Sequence, residues 1–395
     1  MAISLSSKLP KVDYYENPEL IRTFRGNLKG IHKVAFNPNL KCLASAGDDG
    51  SVRVWNFKAD MRPLKFDFHN GPVHTVSFND DGSYLASGGS DGKICITKNN
   101  AKCEGIQFKG HSAPVKSVNY SKDGNRLLTS ADDKVIKLWG INHKRGLDGS
   151  KKVSGHDFVR SFTGHTDWVL DAKFSPDNRL VGSVCTKSVR VWDVNTGQEV
   201  VQFKNANLQN TSISFHPDGN YIAVGTGSKH LKIWDMRSQK LAQDYLLPTE
   251  INSVDFHPSG AVVACANRYD PTLNNSSLSM FDIRQSRCIF EIEGIHDTLD
   301  TVSFSHSGEY FSAAGRNKLV YVWKSNLDLK PTQHLESALA EKEILAKAAN
   351  EINIGGAISL EKQMEAYANR EQNEVYEKIS TNLENLVLKI NSISE

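Results

Sequence analysis

From Val115 to Trp139 the chain reads VKSVNYSKDGNRLLTSADDKVIKLW, three runs of alternating apolar and polar residues separated by short polar turns. Val115, Ser117 and Asn119 alternate with Val118 and Tyr120, and that period of two predicts a half-buried strand. The turn Ser121-Lys122-Asp123-Gly124 reverses the chain, because Asp bonds its own backbone and Gly accepts a positive φ. Arg126 to Ser130 is predicted as a second strand, Ala131-Asp132-Asp133-Lys134 as a second turn, and Val135 to Trp139 as a third strand. So small a sheet cannot bury both of its faces alone. Copies of the unit must pack on one another.

The copies are present. The closing aromatic recurs as Trp55, Trp139, Trp192, Trp234, Phe281 and Trp323, with Thr97 in the second unit, at intervals of 42, 42, 53, 42, 47 and 42 residues. The aromatic ending the first strand falls on Phe36, Phe78, Tyr120, Phe174, Phe215, Phe256 and Phe304. Both rulers give seven units. A period of about 40 residues with four short strands per unit predicts a β-propeller, in which radial repetition leaves only short, protected edges. Because Gly110-His111 and Gly164-His165 open units and Trp192-Asp193 and Trp234-Asp235 close them, the chain resembles the WD40 repeat family from about Glu19 to Asn326. The resemblance implies an all-β, seven-bladed propeller over residues 19–326. It also implies that Leu20-Ile21-Arg22-Thr23-Phe24, which has no partner in its own unit, completes the last blade.

The same resemblance implies an internal network in each blade, linking a loop His, a strand hydroxyl, a turn Asp and the terminal Trp. In the third unit these are expected to be His111, Ser130, Asp133 and Trp139. Other units keep parts of it. The first has Asp49 and Trp55 but Asn27, the second has His69 and Asp91 but Thr97, and the last three have Ser228, Asn275 and Asn317 where Asp is expected. Blade three is therefore expected to be the most firmly specified and blade six the least.

Composition adds bounds. Hydrophobic residues at 39% and a net charge of +2 suit a globular chain with no global bias toward nucleic acid or acidic membranes. The six cysteines (Cys42, Cys95, Cys103, Cys185, Cys265 and Cys288) are scattered without C-x-x-C spacing and read as reduced thiols, not as a disulfide or zinc site. No signal-peptide core and no long apolar run is present, so the expectation is a soluble intracellular protein. Histidines and carboxylates recur because the repeat recurs, and neither a phosphate-binding loop nor a nucleophile elbow stands outside it. No catalytic residue, metal ligand or cofactor is expected.

Departures from the repeat are candidate sites of function. Between Trp139 and Phe162 the insertion INHKRGLDGSKKVSGHDFVRS is basic. It reads as a surface loop that tolerated growth, with the grip of an acidic partner as the second possibility. Trp168 stands on the loop entering the innermost strand of unit four, either as an anchor for a partner or packed on a neighbouring loop. Arg268 to Asn275 reads as a lengthened hairpin in unit six. Trp234-Asp235-Met236-Arg237 and Phe281-Asp282-Ile283-Arg284 end adjacent units. In the WD40 family such a string can dock a propeller on a cullin-type ubiquitin-ligase adaptor, which makes Arg237 and Arg284 candidates in an alternative reading as a substrate receptor.

Outside the repeats, residues 1–18 read as a flexible leader, 327–334 as a linker around Lys330-Pro331, and 335–395 as a helical tail broken at Gly355-Gly356. Tyr376, Ile379, Leu383, Leu386, Ile390 and Ile393 follow 3-4 spacing, the seam of a short coiled coil, and pairing with another chain is favoured over packing back on the propeller. The phrases Trp168-Val169, Ala172-Lys173-Phe174-Ser175-Pro176-Asp177, Ser307-Gly308-Glu309-Tyr310-Phe311 and Val322-Trp323-Lys324-Ser325-Asn326-Leu327-Asp328, with the tail, resemble the centriolar WD-repeat family called proteome-of-centriole-one. That likeness implies a scaffold of centrioles and basal bodies in the cytoskeleton. It would bind microtubule-wall proteins, possible tubulin included, and self-associate through the tail, with no nucleic-acid or membrane partner.

Overall fold

A computed structural model describes residues 17–327 apart from 40–41, 59–60, 101–103, 146–150, 205–208, 273–276 and 293. The expected leader up to residue 16, the linker beyond Leu327, the helical tail with its seam, Cys103 and Asn275 lie outside the described residues.

Seven four-stranded antiparallel sheets make up the described chain. In blade three the strands are Val115–Tyr120, Arg126–Ala131, Ile136–Arg145 and Lys151–Phe162, in that spatial order from the inside outward. Each innermost strand touches the innermost strand of the next blade, and that of blade seven, Leu299–Phe304, touches Ile31–Phe36 of blade one, so the ring is closed. The outermost strand of blade seven comes from the other end of the chain. Glu19–Phe24 pairs antiparallel with Val320–Lys324, in the register Leu20↔Trp323 and Phe24↔Val320.

The alternation explains where the core lies. Second strands are buried on both faces, as in Cys42–Gly47 and Val262–Asn267, whereas outer strands such as Lys240–Leu246 are mostly exposed. Apolar clusters form between neighbouring blades: Ala44, Val54 and Phe66 of blade one meet Val73, Val76 and Leu85 of blade two. The meander places the loops before first strands and between second and third strands on one face of the ring, here the entry face. The turns after first strands and after third strands lie on the other, the exit face.

Over its described residues the basic insertion is not a loop. It extends the last two strands of blade three into a ribbon with the register Ile141↔His156, His143↔Val153 and Lys144↔Lys152. Apolar anchoring is the reason. Ile141 is buried, Val153 packs on the same cluster and its N–H donates to the Tyr84 hydroxyl at 3.2 Å, and the His156 ring stacks on Phe108 at 3.5 Å. In blade six, Val262–Asn267 and Leu278–Asp282 pair as a hairpin lengthened by the insertion between them.

Candidate functional site

The polar network of blade three is complete, with one residue corrected. His111 Nδ1 lies 2.9 Å from Asp133 Oδ2, and its Nε2 lies 2.8 Å from the hydroxyl of Thr129, which also accepts the Trp139 indole N–H at 2.9 Å. With the Nδ1 proton given to Asp133, the Nε2 lone pair accepts from Thr129, so each buried polar atom serves another. Ser130, the expected hydroxyl, faces the other side of its strand, and its Oγ is buried with no hydrogen-bond partner. The signal that finds Thr129 is in the sequence: Ser45, Ser87 and Thr129 recur at 42-residue spacing, and each lies ten residues before the unit's closing position. Burial works to raise the Asp133 pKa, but the hydrogen bond and charge of His111 outweigh it and hold this carboxyl below the usual range.

Other blades vary the theme. His69 spans Asp91 and the Ser87 hydroxyl, at 3.1 and 2.9 Å, without a tryptophan. In blade four the Ser183 hydroxyl joins His165 at 2.7 Å to Trp192 at 2.8 Å, but no carboxylate is present and His165 Nδ1 has no partner. Blade one replaces His with Asn27, whose Oδ1 accepts from Ser45 at 3.3 Å and from Arg53 at 3.2 Å, while Arg53 pairs with Asp49 at 2.7 Å. In blade five Ser228 donates to the Thr226 hydroxyl and the Trp234 indole N–H is left without a partner; in blade seven Asn317 donates to Tyr321.

These networks fix the entry-face loops, and hydrogen bonds between blades fix the exit face. Asn37 Nδ2 donates to Gly82 O at 2.9 Å, His216 Nε2 to Gly260 O at 3.0 Å, and His257 Nε2 to Gly308 O at 3.1 Å, each reaching the equivalent turn of the next blade. A Cβ on Gly260 would meet the His216 ring at 2.3 Å, and its φ of +77° already favours glycine. The central channel holds a charge cluster that sequence reasoning missed. Lys173 Nζ pairs with Asp255 at 3.1 Å, and Asp171 accepts from the hydroxyls of Ser117 at 2.8 Å and Ser212 at 3.2 Å. Burial opposes the Asp171 charge, yet Lys33 and Lys173 outweigh it and hold its pKa down. At the exit mouth a cavity of about 230 Å³ is lined in part by Lys33, Asn119, Lys173 and Asp255.

A buried histidine, His165, and a half-buried one, His74, make stability depend on pH. Burial, aided by Arg190, lowers His165 to about 4. Burial, aided by Lys116 and by His32 at 4.9 Å between rings, lowers His74 to about 4 as well. The unfolded chain, with histidine near about 6.5, binds more protons between these values, so stability rises with pH there. It is fully present above about 6.5 and is lost progressively as pH falls toward 4, by about 1–3 kcal/mol per histidine. Thermal melts at pH 7 and pH 4.5 are expected to show this loss, and His165→Gln is expected to reduce it.

The sequence candidates fall on opposite faces. Trp168 stands on the entry face and is 54% exposed; its loop is held where Asp167 accepts from Thr186 at 2.5 Å and Thr166 O accepts from Lys134 Nζ at 3.0 Å. Trp168 is half exposed, so about half of the side chain is open to solvent. Arg237 and Arg284 are exposed in equivalent exit-face turns of blades five and six, where Arg237 Nε donates to Asn220 at 2.9 Å and Arg284 Nε lies 3.8 Å from Asp282. The structure therefore does not bring Trp168 together with the two arginines. Cys42, Cys95, Cys185, Cys265 and Cys288 are free thiols, and among the described residues no group of three or more His, Cys, Asp or Glu is placed to hold a metal ion.

Closed ring, blade networks and an outer strand supplied by the other end of the chain together define a seven-bladed propeller. The chain belongs to the WD40 family: the model described as "WD domain, G-beta repeat" matches residues 18–56, 62–97, 102–140, 156–193, 206–235 and 286–324, more than half of its length. The matches skip most of blade six, the blade expected to be least specified. The chain is 26% identical over 213 residues to the guanine nucleotide-binding protein subunit beta of Zea mays, covering 49% of this chain and 53% of that protein. It is 23% identical over 154 residues to the target of rapamycin complex subunit wat1 of Schizosaccharomyces pombe, covering 38% and 47%. It is 27% identical over 154 residues to pre-mRNA-processing factor 19 of Dictyostelium discoideum, covering 37% and 29%. The chain thus spans about half or less of these relatives.

Proposed function

We propose that the chain is a non-catalytic docking platform whose entry face captures a partner protein through Trp168. The observation that carries this reading is a large aromatic, 54% exposed, on a loop tied down by hydrogen bonds on both sides. A rigidly presented aromatic is the usual anchor of a protein interface. Support against an enzyme comes from His69–Asp91 and His111–Asp133, which are consumed in fixing the loops of their own blades. Two of the relatives carry "subunit" in their names, in keeping with a protein that works inside assemblies.

The finer proposal is a scaffold of centrioles and basal bodies in the cytoplasm and cytoskeleton. The propeller would bind microtubule-wall components, and the seam from Tyr376 to Ile393 would add self-association that multiplies weak contacts. Its support is the run of phrases around Trp168, Ser307 and Val322 and the 3-4 spacing of the tail. Tagging the full chain and a truncation after Asn326 in ciliated cells tests it: centriolar foci are expected, weaker for the truncation, and a diffuse full-length signal overturns it. Trp168→Ala is expected to leave the melting temperature within about 1–2 °C while weakening partner capture, because an exposed side chain contributes little to the fold. A cullin-adaptor pull-down lost on Arg237→Ala/Arg284→Ala would favour the substrate-receptor alternative, which both exposed arginines permit.

A further inference from the structure

The entry-face turns between second and third strands repeat one hydrogen bond. Gly50 N–H donates to Gly47 O, Gly92 to Gly89 O, Lys134 to Ala131 O, Lys229 to Thr226 O and Lys318 to Gly315 O, each reaching back three residues. The donor stands in the left-handed region in all five, at φ +79° and +73° for the glycines and +66°, +72° and +65° for the lysines. A Cβ makes that conformation costly, so glycine is the residue the turn prefers. Blades one and two take it, whereas blades three, five and seven hold lysine there. The other left-handed residues with a side chain are Asn178, Gln239, Ser286 and Asn326, none of them charged. Blade four has the shorter turn Thr186-Lys187, which again presents a lysine. Lys134, Lys187, Lys229 and Lys318 are all exposed. Among the described residues, lysine ion pairs form only at Lys65, Lys116, Lys173 and Lys232. The fold thus accepts strain to place positive charge that it does not itself neutralise.

Two of these lysines border the Trp168 loop. Lys134 Nζ donates to Thr166 O, two residues before the tryptophan, and Thr186, next to Lys187, donates to Asp167, one residue before it. The carboxylates of this part of the face are already engaged. Asp132 pairs with Lys116 at 3.5 Å, Asp133 pairs with His111 at 2.9 Å, and Asp167 accepts from Thr186 and from the Trp168 N–H. All three are half-buried, while the lysines and Trp168 are exposed. The geometry points to the Trp168 loop with Lys134 and Lys187 as a docking site for an acidic segment of a partner protein, one with carboxylates on both sides of an apolar residue. The apolar residue meets Trp168 and passes Asp167 without carrying charge, and the carboxylates on either side meet the lysines. Lys229 of blade five extends the positive rim. A polyphosphate chain fits less well, because its unbroken charge would also fall on Asp167.

Such a site rests on the entry-face reading proposed above and adds the partner's chemistry to it. The test uses the full-length chain and a fluorescein-labelled, glutamate-rich decapeptide with a central Leu-Phe pair, followed by anisotropy. Binding that weakens as salt is raised is expected, and the same peptide with glutamine for every glutamate is expected to bind at least about ten-fold more weakly. K187E is expected to weaken binding of the acidic peptide by about ten-fold or more, and Lys187→Gln by an intermediate factor, the order that charge sets. Both variants are expected to keep the melting temperature within about 1–2 °C, because the side chain is exposed. Lys229→Gly is expected to keep or raise it, because glycine relieves the left-handed turn. No binding of the acidic peptide, equal binding of the glutamine peptide, affinity unchanged within about two-fold by K187E, or a melting temperature lowered by Lys229→Gly overturns the inference. So does equal or tighter binding of a single-stranded oligonucleotide or of phosphatidylserine vesicles. The two readings fail separately. If both peptides bind alike and Trp168→Ala abolishes both, the aromatic anchor stands and the acidic partner falls; if charge-dependent binding survives Trp168→Ala undiminished, the lysines stand and the anchor falls.

Discussion

Trp139→Ala is expected to lower stability by about 3–5 kcal/mol, the usual consequence of truncating a buried tryptophan. The indole is 6% exposed, meets Phe108 at 5.0 Å and Phe158 at 5.5 Å, and donates its N–H to Thr129. Its removal opens a cavity between blades two and three and leaves a hydroxyl half-served. A companion pair of substitutions separates the polar part from the packing part. Thr129→Val keeps the volume but strands both the indole N–H and His111 Nε2, at a cost of about 2–4 kcal/mol. Ser130→Ala removes a hydroxyl that has no partner, so its effect is expected within about 0.5 kcal/mol of zero or stabilising. Urea unfolding of the three variants measures this order, and equal losses for Thr129→Val and Ser130→Ala would remove Thr129 from the hub.

Deleting residues 1–24 is expected to have an effect of similar size with a different outcome. The strand Glu19–Phe24 then no longer covers Val320–Lys324. Phe24, buried and stacked on Trp55 at 5.4 Å, is lost from the contact between blades seven and one, and so is the bond from Arg22 to Phe57 O at 2.5 Å. The loss is expected at about 3–5 kcal/mol, and the bared edge becomes a template for another chain. Size-exclusion chromatography is expected to show species larger than the parent, and a synthetic peptide spanning Pro18 to Gly26 is expected to restore the parent's peak. A truncated protein that elutes and melts like the parent would mean that the pairing contributes little.

How much of this was legible in the letters depends on what repeats. The ring and its seven blades follow from the 42-residue spacing of the closing aromatics, because each blade must present the same surfaces to its neighbours. Thr129 was missed through a slip of one residue, which in a strand sends a side chain to the opposite face. The ribbon was missed because its glycines and lysines, Gly140, Lys144, Lys152 and Gly155, look like loop composition, while the two anchors Ile141 and Val153 are too few to show a period. The channel cluster was missed for another reason. Lys33, Asp171, Lys173 and Asp255 come from three blades and occur once each, so only the closed ring brings them together. Trp168 was visible as a bulky residue where other units carry Pro72 and Pro114, but only the structure shows that it faces solvent.

Sealing the ring with its own beginning also sets a timetable for synthesis. Glu19 leaves the ribosome first, and its mate Lys324 emerges roughly 300 residues later, about 15–60 s at ordinary elongation rates. Through that interval blades one to six can assemble in turn, but the opening segment must wait unpaired, with Leu20 and Ile21 available to any other nascent sheet. Completion therefore waits for the last blade, and because residues 325–395 follow Lys324, the ring can seal before synthesis ends.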